Sequence, residues 1–133
     1  MPQFNSKAKI LYIEDNTVQR YVIFQVLKRH GFDVQTALDG QEGIIRAQVW
    51  RPDLILMDLG LPIFDGFQAA QILREHPNTL NIPIIAYSGK SISDDIKTKI
   101  EAVGMNGLLS KTTSPQELVQ YLENYLLPGC SNS

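Results

Sequence analysis

The chain has 133 residues, of which 44% are hydrophobic and 20% are charged, and its formal net charge at pH 7 is -2. This length suits one domain and excludes two domains with separate cores. The composition is typical of a globular chain and excludes a largely disordered one. Acids and bases are mixed along the sequence, so we expect no large basic surface and no direct binding to nucleic acid.

The cysteine content and the N-terminal sequence favour an intracellular protein. Cys130 is the single cysteine, so no internal disulfide can form, as is common in a reducing compartment. The N-terminal residues lack the apolar core of a signal peptide. The longest apolar runs, such as 54–57, are far shorter than the roughly 20 residues that span a bilayer. We therefore expect a soluble, cytoplasmic protein that does not contact a membrane.

Hydrophobic periodicity predicts five strands that alternate with five helices. Short apolar or alternating runs indicate the strands, and polar caps, glycines and prolines mark the helix ends. In chain order we expect a strand at 9–13, a helix from 16 or 17 to about 30, a strand at 32–37, a turn at 39–40, a helix at 42–49, a strand at 53–58, a helix at 67–75, a strand at 82–87, a helix capped by Ser93, a strand at 107–110 and a helix that opens at 114–117.

Three of the helices carry apolar stripes that we expect to face the core. In the first helix the stripe is Val18, Tyr21, Val22 and Val26, widened by Ile23, Phe24 and Leu27; in the fourth it is Ile96, Ile100 and Val103; in the last it is Leu118, Leu122 and Tyr125. A further hypothesis is that surplus apolar surface on the first and last helices, consisting of some of Ile23, Phe24, Val119 and Tyr121, forms a dimer or kinase-docking patch.

Alternating strands and helices predict an α/β fold with a mostly parallel sheet covered on both faces. Because crossovers are right-handed, the simplest arrangement is a single doubly wound, five-stranded sheet in the order 2-1-3-4-5, as in flavodoxin-like folds. We expect an N-terminal extension at 1–8, one domain at 9–127 and a flexible tail at 128–133.

Polar side chains follow four of the predicted strands, at the edge where ligands bind in such sheets. They are Glu14 and Asp15 after the first strand, Asp58 after the third, Ser88 after the fourth and Lys111 after the fifth. Clustered carboxylates repel one another unless a cation relieves them, and oxygen ligands of this charge suit Mg²⁺. An acceptor carboxylate, a metal, a hydroxyl and an ammonium group are the parts that phosphoryl transfer to an aspartate requires.

Each of these residues also has an ordinary interpretation. Glu14 and Asp15 can be loop or capping residues, Asp58 and Ser88 can belong to turns, and Lys111 can be a surface lysine. Only their joint placement at four strand ends favours a functional site.

Five short motifs occur in order along the chain: Ile13-Glu14-Asp15-Asn16, Leu56-Met57-Asp58-Leu59-Gly60-Leu61-Pro62, Asp65-Gly66, Ala86-Tyr87-Ser88-Gly89 and Leu109-Ser110-Lys111. With these motifs, the chain resembles the receiver domains of two-component response regulators, such as the single-domain chemotaxis regulator. The resemblance implies a phosphoacceptor that assists its own phosphorylation and dephosphorylation rather than an enzyme. It implies that a sensor histidine kinase or phosphotransfer protein is the phosphoryl donor and that an unknown protein is the downstream partner. We expect the chain itself to be a monomer or a weak homodimer.

The resemblance also implies a role for each matching residue. In such domains Mg²⁺ is the cofactor, and a switched surface of helix 4, strand 5 and helix 5 binds the partner. The implied site consists of Asp58 as phosphoacceptor, Ser88 as the hydroxyl that moves to the phosphoryl group, Lys111 as the partner of the carboxylate and then of the phosphoryl group, and Glu14, Asp15, Asp58 and the backbone carbonyl of Gly60 as the metal ligands.

Departures from the family pattern concern four positions. Leu108 stands where many receivers carry an aromatic switch residue, so we expect the output to depend on helix shifts. Thr112 follows the lysine in place of a proline with a cis bond; a cis bond here would cost about 2.5–4 kcal/mol, so the sequence favours it only weakly. Gly60 and Lys90 occupy positions that tune the lifetime of the phosphorylated state in the family.

Three alternatives to an active receiver make different demands on the sequence. A degenerate receiver would bind a partner without phosphorylation, but here every carboxylate, the hydroxyl and the lysine are retained. A phosphatase of the haloacid-dehalogenase type needs Asp-x-Asp after the first strand, and 14–16 is Glu-Asp-Asn. A flavodoxin-like flavin binder needs a Ser/Thr/Gly-rich loop there, which 16–20 does not supply.

Overall fold

The computed structural model describes residues 8–61, 65–89 and 92–126. Within these residues, five strands alternate with five helices. They are β1 (Lys9–Ile13), α1 (Thr17–Arg29), β2 (Asp33–Ala37), α2 (Gly40–Trp50), β3 (Leu54–Asp58), α3 (Gly66–Arg74), β4 (Ile84–Ser88), α4 (Asp94–Ala102), β5 (Gly107–Ser110) and α5 (Pro115–Leu126).

The five strands form one parallel sheet in the order β2-β1-β3-β4-β5. This confirms the predicted doubly wound α/β fold. Every residue of β3 and β4 is buried, as expected for central strands that are covered on both faces. The predicted extension at 1–8 and tail at 128–133 lie almost entirely outside the described residues, so these boundaries stay predictions. No helix in the described ranges has the length and apolar character needed to cross a bilayer.

Two apolar clusters cover the two faces of the sheet. Because successive strand residues point to opposite faces, Leu11 and Ile13 of β1 join one cluster, whereas Ile10 and Tyr12 join the other. Helices α2, α3 and α4 contribute to the first cluster, and helices α1 and α5 contribute to the second. The core therefore consists of two apolar layers, one on each face of the sheet, and the carboxyl ends of the parallel strands lie at one edge between them.

Side-chain caps define where four of the helices begin. Asn16, Asp39, Asp65 and Ser93 each accept a hydrogen bond from the backbone N–H three residues further on. The caps at Asn16 and Ser93 were predicted. Asp39 was predicted to be in a turn with Gly40, but its carboxylate caps α2, so this helix begins two residues earlier than the sequence indicated.

The predicted apolar stripe of α1 is confirmed at Ile23 and Leu27 and is wrong at Val18, Tyr21 and Val22. Val18 and Tyr21 are 72% and 64% exposed, whereas Ile23 and Leu27 are buried. The buried face is centred between Ile23 and Leu27, because α1 packs against β2 and α5. The stripes of α4 and α5 are confirmed at their buried positions, Ile100, Leu118 and Leu122, while Tyr125 is 36% exposed.

The predicted apolar patch for docking or dimerisation is wrong for two of its four members. Ile23 and Val119 are buried in the second cluster, and Phe24 and Tyr121 are partly buried against it. Ile23 and Val119 fill the space between α1, α5 and the sheet and are not free surface, whereas a patch that includes Phe24 and Tyr121 stays a prediction.

Candidate functional site

The carboxyl ends of β1, β3, β4 and β5 bring the predicted site residues to one edge of the sheet. Asp58 and Ser88 are the last residues of β3 and β4, and Lys111 directly follows β5. The backbone N–H of Lys111 donates a 2.8 Å hydrogen bond to the carbonyl oxygen of Ser88, which ties the ends of β4 and β5 together. Glu14 and Asp15 follow β1, which pairs with β3.

Three carboxylates form a compact acidic cluster at this edge. One oxygen each of Glu14, Asp15 and Asp58 lies within 4.8 Å of the others. Glu14 and Asp58 are buried, with 1% and 7% exposure, and Asp15 is exposed. So much negative charge in a partly buried space is unfavourable without a cation, and carboxylate oxygens are the ligands that Mg²⁺ prefers. The cluster therefore fits the magnesium site of receiver domains.

Lys111 supplies a positive charge to this cluster. Its Nζ donates a 2.7 Å hydrogen bond to Glu14 Oε1 and lies 3.3 Å from Asp58 Oδ1. Burial lowers the pKa of Lys111, but the hydrogen bond to Glu14 and the charges of Asp58 and Glu14 outweigh this effect, so its pKa is raised. The ammonium group thus stays charged and lies between two carboxylates from different strands.

Glu14 is held by more donors than Lys111 alone. The hydroxyl of Tyr12 donates a 3.0 Å hydrogen bond to Oε1, and the backbone N–H of Asn16 donates a 3.2 Å hydrogen bond to Oε2. Burial raises the pKa of Glu14, an effect that its hydrogen bond with Lys111 only partly offsets. Burial and the neighbouring Glu14 carboxylate also raise the pKa of Tyr12, so the phenol remains a protonated donor.

Tyr12 is the member of this network that sequence reasoning missed. The apolar pattern of β1 predicts only that Tyr12 lies in the core. Its spacing from Glu14 carries more information, because residues two apart in a strand share a face and Tyr12 therefore projects beside Glu14.

A cleft of about 590 Å³ opens next to Asp58 and is lined in part by Gly60, Ser88 and Lys111. The backbone N–H of Gly60 donates a 3.3 Å hydrogen bond to Asp58 Oδ1. Ser88 is 3% exposed and lies at the wall of this cleft. The cleft gives an incoming anionic group access to the Asp58 carboxylate.

Gly66 allows α3 to begin close to the end of β3. A Cβ atom at this position would lie 2.7 Å from the carbonyl oxygen of Asp58, which is closer than real Cβ atoms approach. The Gly66 N–H also donates a 3.1 Å hydrogen bond to the carbonyl oxygen of Leu59. The Asp65-Gly66 motif therefore sets the packing of α3 against the site.

Two of the residues that depart from the family pattern, Leu108 and Thr112, lie in β5 or shortly after it. The peptide bond before Thr112 is trans, since the described residues contain no cis bond. The hydroxyl of Thr112 lies 2.7 Å from that of Ser110, and its N–H donates to the same Ser110 oxygen. Leu108 is partly buried against the first apolar cluster. Lys90 and Cys130 lie outside the described residues.

The two histidines lie away from the site. His30 follows α1, and its Nδ1 lies 3.0 Å from the carbonyl oxygen of Val26. His76 lies in the segment after α3, where its carbonyl oxygen accepts the N–H groups of Thr79 and Leu80.

Comparison with known proteins identifies the family of the chain. The response regulator receiver domain family matches residues 10–123, and the chain belongs to this family. It is a receiver domain of two-component signalling.

Similar proteins differ in how much of their length the chain covers. Protein PilH of Pseudomonas aeruginosa is 31% identical over 122 residues, which are 92% of this chain and 99% of PilH. The probable transcriptional regulator ycf29 of Porphyra purpurea is 33% identical over 124 residues, which are 93% of this chain but only 59% of that protein. Among solved structures, the receiver domain of a sensor histidine kinase from Pseudomonas aeruginosa, which holds a magnesium ion in its active site cleft, has a TM-score of 0.82 and 33% identity, and the match covers 90% of this chain and 98% of that one.

Proposed function

We propose that this receiver domain accepts a phosphoryl group on Asp58 in a reaction that depends on Mg²⁺. The observation that carries the proposal is the position of the Lys111 ammonium group, 2.7 Å from Glu14 and 3.3 Å from Asp58, at the edge of a cleft lined by Ser88. A carboxylate nucleophile next to a fixed cation and a hydroxyl suits the transfer of a doubly charged group.

In the proposed reaction, a carboxylate oxygen of Asp58 attacks the phosphorus atom of a donor phosphohistidine. A P–O bond forms, the P–N bond breaks, and the imidazole nitrogen of the donor keeps the electron pair. Lys111 then exchanges part of its contact with the carboxylate for a phosphoryl oxygen, and the Ser88 hydroxyl donates to another phosphoryl oxygen. The domain thus assists the reaction and remains the acceptor rather than an enzyme.

The residues proposed to hold Mg²⁺ are Glu14, Asp15, Asp58 and the backbone carbonyl of Gly60. A magnesium ion bound there supplies positive charge that offsets the carboxylates and the phosphoryl oxygens. Without that charge, a phosphoryl dianion would approach three carboxylates, two of which Lys111 contacts within the described residues. The short distances within the acidic cluster support this part of the proposal.

The proposed partners follow from membership of the family. Receiver domains interact with histidine kinases and phosphotransfer proteins, and we propose one of these as the donor for Asp58. Phosphorylation is then proposed to shift a two-state equilibrium that alters the surface of α4, β5 and α5 for a downstream protein. Because Leu108 takes the place of an aromatic residue, we propose that this shift involves helix displacement. A monomer or weak homodimer remains our proposal for the free domain.

The experiment is intact-mass measurement after incubation with acetyl phosphate. The wild type with Mg²⁺, the wild type with a chelator and Asp58→Asn with Mg²⁺ are compared. We expect one phosphoryl adduct in the first sample and none in the others. An unmodified wild type that also binds no Mg²⁺ would contradict the proposal and support the alternative, an interaction module that works without phosphorylation.

A further inference from the structure

Tyr12 is a fully buried phenol beside the site that the proposed chemistry does not use. It lies two residues before Glu14 on β1, and its ring packs among the apolar side chains between the sheet and helices α1 and α5. Its ring centroid lies 6.2 Å from that of Tyr87, in an edge contact. Its hydroxyl therefore reaches the acidic cluster from inside the core.

The hydrogen bonds on Glu14 divide unequally between its two oxygens. Oε1 accepts from the Tyr12 hydroxyl and from Lys111 Nζ, whereas Oε2 accepts from the backbone N–H of Asn16. An ionised carboxylate offers about four acceptor positions, two on each oxygen. Tyr12 and Lys111 together fill Oε1, and the remaining acceptor position lies on Oε2.

We propose that Tyr12 is a positioning residue whose hydroxyl fixes the rotation of the Glu14 carboxylate, and through it the Lys111 ammonium group between Glu14 and Asp58. This proposal rests on the function proposed above. A phenol on a packed ring has one hydroxyl at a fixed place, so it selects one orientation of the carboxylate. Without it, only two of the three described donors, Lys111 and the Asn16 N–H, remain on the carboxylate, so its rotation and the free acceptor position on Oε2 are less firmly fixed.

The consequence is that Mg²⁺ binding depends on a residue with no exposed surface. Mutation of a hydrogen-bond partner that orients a metal ligand typically lowers the metal affinity about 10-fold or more. Tyr12 meets this description because it touches Glu14 and is itself held by the core on all other sides.

The test compares two substitutions that each remove one phenolic oxygen. Tyr12→Phe deletes the donor to Glu14 and keeps the ring. Tyr87→Phe is the matched control, because Tyr87 is 1% exposed in the same apolar cluster and its hydroxyl forms no hydrogen bond with Glu14 in the described part of the chain. Mg²⁺ affinity is measured by isothermal titration calorimetry on the full chain, at a temperature where urea titrations show all variants folded.

We expect Tyr12→Phe to weaken Mg²⁺ binding about 10-fold and Tyr87→Phe to match the wild type. In a Glu14→Ala background, which has no acceptor for the Tyr12 hydroxyl, Tyr12→Phe should cause no further loss, because Tyr12 acts through Glu14. Equal affinities of Tyr12→Phe and the wild type, or the same loss in the Glu14→Ala background, would overturn the positioning role.

Measurements of Mg²⁺ binding and phosphorylation on the wild type distinguish failure of the positioning role from failure of the proposed function. A wild type that binds Mg²⁺ and takes a phosphoryl group from acetyl phosphate, together with an unaffected Tyr12→Phe, overturns only the role of Tyr12. A wild type that does neither overturns the proposed function, and the positioning role with it.

Discussion

Lys111 Nζ donates a 2.7 Å hydrogen bond to Glu14 Oε1, although 97 positions separate the two residues in the sequence. The Glu14 side chain is 1% exposed and that of Lys111 is 19% exposed. A carboxylate buried to this extent requires a counter-charge, and Lys111 provides one that also reaches Asp58. The pair thus connects the segments that follow β1 and β5, the first and last strands in chain order, through the site.

Replacement of this lysine should destabilise the fold. Lys111→Met leaves the Glu14 carboxylate buried without its ammonium partner, and we expect the free energy of unfolding to fall by about 1–3 kcal/mol. Urea denaturation followed by circular dichroism measures the change. The double variant Lys111→Met with Glu14→Gln should recover part of the loss, because the uncompensated charge is gone; a double variant that loses the sum of both single effects would contradict this explanation.

Magnesium should stabilise the folded domain. A ligand that binds only the folded state at ten times its dissociation constant adds about 1.4 kcal/mol to the free energy of unfolding. Thermal denaturation of the wild type with and without MgCl₂, at matched ionic strength, tests this. Asp15→Asn removes a proposed ligand that is exposed, so it should reduce the shift without disturbing the core. An equal shift in both proteins would argue against Asp15 as a ligand.

The close contact between Gly107 and α5 should make a larger side chain at this position destabilising. A Cβ atom at Gly107 would collide with the hydroxyl of Tyr121 and lie 2.9 Å from that of Tyr125. The Tyr125 hydroxyl also donates a 2.7 Å hydrogen bond to the carbonyl oxygen of Asn106, which fixes the helix at this place. Gly107→Ala should therefore cost about 1–3 kcal/mol of stability through overpacking.

Two variants check that the collision is the cause. Gly60→Ala is the matched glycine control, since a Cβ atom there would have no neighbour within 4 Å, and its stability should stay close to that of the wild type. Adding Tyr121→Phe to Gly107→Ala removes the nearest oxygen and should restore part of the loss in a urea titration. No recovery would place the cause elsewhere.

Tyrosine ionisation should weaken the fold in alkaline solution. Burial, followed by the hydrogen bond and charge of Tyr125, raises the pKa of Tyr121 to about 12, compared with about 10 for an unfolded chain. The folded state thus binds this proton more tightly, so its contribution to stability is complete below about pH 10 and is lost as the pH rises towards 12.

Urea titrations at several pH values between about 9 and 11 measure this loss. Tyr121→Phe should lose stability less steeply with pH than the wild type, because one of the raised pKa values is absent. Parallel pH profiles of stability for the two proteins would contradict the contribution of Tyr121 to this loss.

The arrangement of the site could be predicted because it depends on topology alone. In a parallel sheet, the residues after β1, β3, β4 and β5 meet at one edge whatever the details of packing. This rule alone predicts that Glu14, Asp15, Asp58, Ser88 and Lys111 lie together.

The features that the sequence did not predict depend on packing between elements distant in the chain. Helix α1 has apolar residues on two adjacent faces, and only its contacts with β2 and α5 select Ile23 and Leu27 over Val18 and Tyr21. The short contact of Lys111 with Glu14 depends on the distance between β1 and β5, which periodicity does not specify.

The most direct test of the central claim is to locate the phosphoryl group. The protein is incubated with acetyl phosphate and Mg²⁺, reduced with borohydride, which converts an aspartyl phosphate to homoserine, and digested for mass spectrometry. Our account predicts homoserine at Asp58 in the wild type and at no position in Asp58→Asn. Modification of Asp15 or another residue in the wild type, or an undiminished signal in Asp58→Asn, would contradict it.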